Sequence, residues 1–145
     1  MMETQRYRIL LVDDEPNILD SMAMVLRSSG YEVTTARHGL EALVQLESGT
    51  PDVLISDLNM PEMTGFELLS AVRRLYPSIR LLAISGIYDA GGQAPAGVVA
   101  DGFYAKGWSR PEKLLGTIAE LIRSRKMPMN ETTIPVPALM PVARA

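Results

Sequence analysis

The sequence predicts an α/β fold, a doubly wound five-stranded parallel sheet, and three observations predict it. Short apolar runs bounded by charge, such as RILLV (8–12), DVLIS (52–56) and IRLLAIS (79–85), have the composition of strands buried on both faces. The segments between them carry apolar residues at helical spacing over ~10–15 residues. The tight-turn signals of β-hairpins are missing. Alternation of this kind implies right-handed crossovers, with helices on both faces of the sheet.

Each element has its own local reason. After strand 8–12, Pro16 suits the first turn of a helix, where its missing N–H costs nothing. Ile18, Leu19, Met22, Val25 and Leu26 then mark one helical face, and Gly30 is placed to end it. Residues 31–36 read as the second strand. A helix with apolar Leu40, Leu43, Val44 and Leu46 follows and stops at SGTP (48–51). The third strand, 52–56, ends at Asp57. Thr64 with Glu67 three residues on forms a capping box, and the helix it opens runs to Tyr76 before Pro77. The fourth strand is 79–85 and the fifth, shorter, is GFYAK (102–106). Ser109 and Glu112 form a second capping box, opening a helix with Leu114, Leu115, Ile118, Leu121 and Ile122 inward.

Composition bounds the function. The chain has 145 residues, 47% of them hydrophobic and 21% charged, as in ordinary soluble domains. A net charge of −3 gives no bulk drive toward nucleic acid or anionic membrane. No apolar run approaches a membrane span of ~20 residues, and MMETQRYRIL lacks the apolar segment of a signal peptide. The absence of Cys excludes disulfides and thiolate chemistry, so a cytoplasmic protein is expected. His38 is the single histidine, before GLEAL, and reads as a helix cap on the surface. Residues 1–126 read as one domain. Residues 127–145, with four of the ten prolines and only Glu131 and Arg144 charged, read as a Pro-rich tail or linker.

The polar residues gather at one end of the strands. Strand 1 runs into Asp13 and Asp14, strand 3 into Asp57, strand 4 into Ser85 and strand 5 into Lys106. In open α/β sheets that carboxyl-end rim is where ligands bind. Alone, each residue has an ordinary reading: an acidic pair caps a helix, Ser85 bonds its own backbone, Lys106 lies on the surface, and Phe103 belongs to the core. Together they form a chemical set. Three carboxylates suit Mg²⁺, a hard cation that takes oxygen ligands and keeps several waters. Asp57 can then serve as a carboxylate nucleophile toward phosphorus, with Lys106 as a second cation and Ser85 as a hydrogen-bond donor. No G-x-G-x-x-G or G-x-x-x-x-G-K-[ST] nucleotide signature is present.

In LVDDEP (11–16), DLNMPEMTG (57–65), Ser85-Gly86 and FYAK (103–106), the chain resembles the CheY-like response-regulator receiver domains of two-component signalling over roughly residues 7–125. The resemblance implies flavodoxin-like strand order 2-1-3-4-5. It implies that Asp57 takes phosphate from a sensor histidine kinase or phosphotransfer protein, becoming a phosphoprotein that changes partner binding or self-association as a homodimer. Asp14 and Asp57 would ligate Mg²⁺, Asp13 mainly through water, and Asn59 through its backbone carbonyl. Ser85 and Phe103 would be the switch pair. Catalysis would be confined to the chain's own phosphorylation and dephosphorylation, with no nucleic acid or membrane bound directly. A constitutive, non-phosphorylated interaction domain of the same fold is the alternative.

Three departures from the family pattern matter. Gly107 follows the lysine where the family usually has proline. Segment 86–102 holds five glycines and Pro95, so a short helix starting near Pro95 is expected in place of a full one. Ile87, two residues past Ser85, would hinder water near the phosphoryl group.

Overall fold

A computed structural model of the chain describes residues 6–86, 97–106 and 111–125. The elements in order are β1 (Arg8–Val12), α1 (Pro16–Ser28), β2 (Glu32–Ala36), α2 (Gly39–Ser48), β3 (Val53–Asp57), α3 (Gly65–Leu75), β4 (Arg80–Ser85), β5 (Gly102–Ala105) and α4 (Pro111–Arg125). The five strands form one sheet in the order β2-β1-β3-β4-β5. Every pairing is parallel, with Ile9 opposite Val33 and Val53, and Ala83 opposite Phe103. The order reverses between β1 and β3, and these two strands carry the acidic residues of the rim.

Two apolar layers flank the sheet. On one face, Leu19, Ala23 and Leu26 of α1 and Leu114, Ile118, Leu121 and Ile122 of α4 pack on Ile9, Leu11, Val53, Ile55, Leu82, Ile84 and Tyr104. On the other face, Ala42 and Leu46 of α2 and Leu68, Leu69 and Val72 of α3 pack on Leu10, Val12, Leu54, Leu81 and Ala83. Alternation along the strands sends successive residues to opposite layers. Tyr104 accordingly joins the first layer, while its neighbour Phe103, half-buried, packs against the second. β3 is buried along its whole length, as expected of a central strand covered on both sides.

The helix signals act as expected where they are described. Thr64 Oγ1 accepts the Glu67 amide and Glu67 Oε1 accepts the Thr64 amide, completing the capping box of α3. His38 caps α2 through Nδ1, which accepts the Glu41 amide. Gly30 sits at φ +100° just beyond α1, a left-handed position suited to glycine.

Some boundaries and faces differ. Asp52 lies just before β3, where its carboxylate accepts the Arg8 amide at 2.8 Å. Asp57 is the last residue of β3, whereas the sequence places the strand end at residue 56. Lys106 lies just past β5, with its amide bonded to the Ser85 carbonyl. In α2 the buried residues are Gly39, Ala42 and Leu46, leaving Leu40 and Val44 more than half exposed. In α1 the core takes Leu19, Ala23 and Leu26, while Ile18, Met22 and Val25 of the same apolar stripe are half-buried. Leu115 of α4 is likewise half-buried rather than inward.

The short helix expected near Pro95 is not found among the described residues. Gly97–Asp101 is turn and loop, and Gly97 has φ +88°, which a right-handed helix does not accommodate. Asp101 ties this connection down: it accepts the Leu81 amide at 2.8 Å and pairs with Arg73 at 2.9 Å. The rest of that expectation, together with Ile87, Gly107, Trp108, Ser109 and residues 127–145, lies outside the described residues.

Candidate functional site

The rim is built from strand ends. The amide of Asp13 still bonds Ala36 O of β2, so the backbone stays in sheet register up to the first carboxylate. The turn closes when the Glu15 amide bonds Asp13 Oδ1 at 2.9 Å, and Pro16 then starts α1. At the end of β3, Asp57 Oδ1 accepts the Asn59 amide at 3.2 Å. Leu58 N bonds Ile84 O, and Gly65 N bonds Leu58 O, folding the 58–64 loop back over the strand end. That return is tight. A Cβ on Gly65 would run into the Asp57 carbonyl oxygen and stand 2.6 Å from Leu58 Cα.

The sequence-predicted residues converge. Asp13, Asp14 and Asp57 each offer an oxygen, and these oxygens all lie within 4.8 Å of one another. Lys106 Nζ stands 3.1 Å from Asp13 Oδ2 and 3.4 Å from Asp57 Oδ2, bridging the two buried carboxylates. Ser85, fully buried, accepts a hydrogen bond from the Asn59 side-chain amide at 3.2 Å. Phe103 stands apart from this polar set, two residues before Ala105, which pairs with Ser85.

Sequence reasoning missed two contacts. Glu15 Oε1 lies 3.6 Å from Lys106 Nζ, a third acidic neighbour for the ammonium. Asn59 was expected to act through its backbone carbonyl, yet its side chain reaches Ser85. Neither contact carries a local sequence signal, because each depends on how far a side chain reaches across the rim.

The charges are out of balance. Burial pushes the Asp57 carboxyl up from 3.8 to about 6; the Asp13 charge adds to the rise, while Lys106 and the Asn59 amide oppose it. Burial also raises Asp13, against the pull of the Glu15 amide and Lys106. For Lys106, burial works to lower the pKa, but attraction to Asp57 and Asp13 outweighs it and the net shift is upward. Three carboxylates share one buried ammonium. An oxygen-rich set with surplus negative charge fits a hard divalent cation.

Residues 9–119 match the family model of the response regulator receiver domain. The chain belongs to that family. Among curated relatives of this receiver domain, the transcriptional regulatory protein PrrA of Mycobacterium tuberculosis is 36% identical over 121 residues, 81% of the chain and 51% of PrrA. An uncharacterised 14.6 kDa protein of Leptolyngbya boryana is 46% identical over 77 residues, 53% of the chain and 59% of that protein. The chain thus spans about half the length of the curated relatives it matches. The chemotaxis response regulator CheY4 of Vibrio cholerae superposes with a TM-score of 0.71 at 36% identity, covering 81% of this chain and 99% of CheY4. TrrA of Thermotoga maritima, solved in complex with Mg²⁺–BeF, superposes with a TM-score of 0.72 at 30% identity, covering 79% of this chain and 98% of TrrA. Among the described residues no helix is long and apolar enough to cross a membrane.

Proposed function

We propose that this receiver domain is a phosphorylation-switched signalling module whose acceptor is Asp57. The observation that carries the reading is the rim itself, with Asp13, Asp14 and Asp57 clustered and Lys106 Nζ 3.4 Å from the Asp57 carboxylate. The donor is a phosphohistidine on a sensor histidine kinase or a phosphotransfer protein. A carboxylate oxygen of Asp57 forms the new O–P bond as the N–P bond breaks, and the electron pair leaves with the imidazole. Lys106 offsets charge on the phosphoryl oxygens.

Mg²⁺ would be held by Asp14, Asp57 and the Asn59 carbonyl, with Asp13 acting mainly through water; it would supply positive charge for the transferring group. The role for Asp13 is supported by its engagement on both oxygens, by the Glu15 amide and by Lys106. The Mg²⁺–BeF complex of TrrA supports the same chemistry here. After transfer, Ser85 exchanges Asn59 for the phosphoryl group and Phe103 turns inward behind it. The readout is altered partner binding or homodimer formation, in the cytoplasm. The only catalysis is on the chain's own acyl phosphate.

Intact-mass spectrometry after incubation with a small acyl-phosphate donor tests this, with and without Mg²⁺, on wild type and Asp57→Asn. One added phosphoryl group that needs both Mg²⁺ and Asp57 is the expected result. If no adduct forms and a beryllium fluoride mimic leaves the spectrum of the folded protein unchanged, the constitutive interaction domain takes its place.

A further inference from the structure

Between α1 and α4 the sheet edge leaves an open groove of about 360 Å³. Ile18, Met22 and Val25 of α1, Tyr104 of β5 and Leu114 of α4 line it. The groove exists because the apolar stripe of α1 is wider than the core covers: Leu19, Ala23 and Leu26 are buried, and the next row is only half-buried. Among the described residues one charged side chain, Lys106 of the acidic site, also lines it, beside the polar Asn17 and Ser21.

The chain itself carries a segment of matching chemistry. Between Glu131 and Arg144 no side chain is charged, and Ile134, Val136, Leu139, Met140 and Val142 alternate with three prolines. The segment follows α4, which forms one wall of the groove. With 15 residues, α4 is ~22 Å long at the usual rise per residue. The nine residues from Arg125 to Ile134 span up to ~28 Å in polyproline geometry. The linking stretch is therefore long enough to bring the apolar segment back along α4 to its first turn. Prolines lower the ordering cost, and the groove's aliphatic side chains with Tyr104 offer an apolar surface for them.

We infer that residues 134–142 of this chain dock in the α1/α4 groove, in cis, and cover the flank of Lys106. The inference is independent of phosphorylation, and its test uses the full unphosphorylated chain. Because the protein has no cysteine, Ala138→Cys gives a single site for a nitroxide spin label. The expected result is a several-fold loss of amide signal intensity for Ile18, Met22, Val25 and Leu114, with α2 and α3 on the opposite face unaffected. The loss persists on dilution and disappears in Val136→Asp/Leu139→Asp, substitutions that leave the folded core untouched. Equal intensities on both faces would overturn the inference. So would broadening that appears only when labelled chains are mixed with unlabelled, isotope-enriched ones, which would assign the groove to a second copy.

Discussion

Asp57 holds its proton to about pH 6 in the folded chain, against 3.8 for an ordinary aspartate, chiefly because it is buried. Between those two values the folded state binds more protons than the unfolded state, so stability falls as pH rises through that window. Above about pH 6 the full cost of the buried charge is present; below about pH 4 it is absent. Two pH units correspond to roughly 3 kcal/mol. Asp57→Asn is therefore expected to be more stable than wild type at pH 7 in chelator, by up to about 3 kcal/mol, with the gap closing near pH 4. Urea denaturation of both proteins across pH 4–7 measures this. A gap that stays constant with pH would separate it from Asp57 ionisation. At the same scale, the Asn59 amide holds Ser85 Oγ at 3.2 Å, a contact the proposed switch would break. One such hydrogen bond contributes about 1 kcal/mol, or about fivefold in binding. Asn59→Ala is expected to bind the Mg²⁺–beryllium fluoride mimic about that much more tightly. Unchanged or weaker binding in a fluorescence titration would show that the amide does not restrain the hydroxyl.

The loop from β3 to α3 sets where Asp57 points, and it is governed by close approach rather than by apolar burial. Gly65 opens α3 directly against the backbone of Asp57 and Leu58. Any Cβ there must displace backbone, since no flexible side chain stands in the way. Gly65→Ala is expected to cost about 2 kcal/mol or more by overpacking and to slow phosphoryl acceptance at Asp57, read by thermal melting and by adduct formation over time. Wild-type stability in that variant would mean the loop relaxes freely. This loop also marks the edge of what was legible in the chain. The Thr64–Glu67 box, Pro16 and the His38 cap announce themselves through residue chemistry over three or four positions. The contact of Gly65 with Asp57 depends on where α3 sits against β3, and the exposure of Leu40 and Val44 depends on how α2 is rolled on the sheet. Local pattern carries neither. Segment 97–101 shows the same limit from the other side: the five glycines of 86–102 argued against a full helix, yet the anchoring through Asp101 to Leu81 and Arg73 needed the tertiary fold.

At the scale of the whole molecule, the sheet order brings the ends of β1 and β3 together at the point of reversal, so one rim concentrates negative charge from residues more than forty positions apart. That placement was legible because buried parallel strands confine polar groups to their ends, and Asp13, Asp14, Asp57, Ser85 and Lys106 each follow or end an apolar run at its carboxyl side. The geometry within the rim was not, since it depends on side-chain reach. Two layers of core thus support a rim whose carboxyls are raised by burial, and the proposed cation would stabilise it. A ligand that binds only the folded state stabilises it by mass action, by about 2.7 kcal/mol at a hundredfold excess over Kd. Mg²⁺ is expected to raise the melting temperature of wild type by several degrees relative to NaCl at equal ionic strength. Asp14→Asn should abolish most of that rise, because Asp14, at the partly exposed side of the cluster, is the proposed direct ligand. Asp57→Asn, already relieved of its buried charge, should start higher in chelator and gain less from Mg²⁺. Differential scanning calorimetry of the three proteins in chelator, NaCl and MgCl₂ reads all of these at once. If all three melt with the same Mg²⁺ dependence, the cation acts on the general surface and the rim does not hold it.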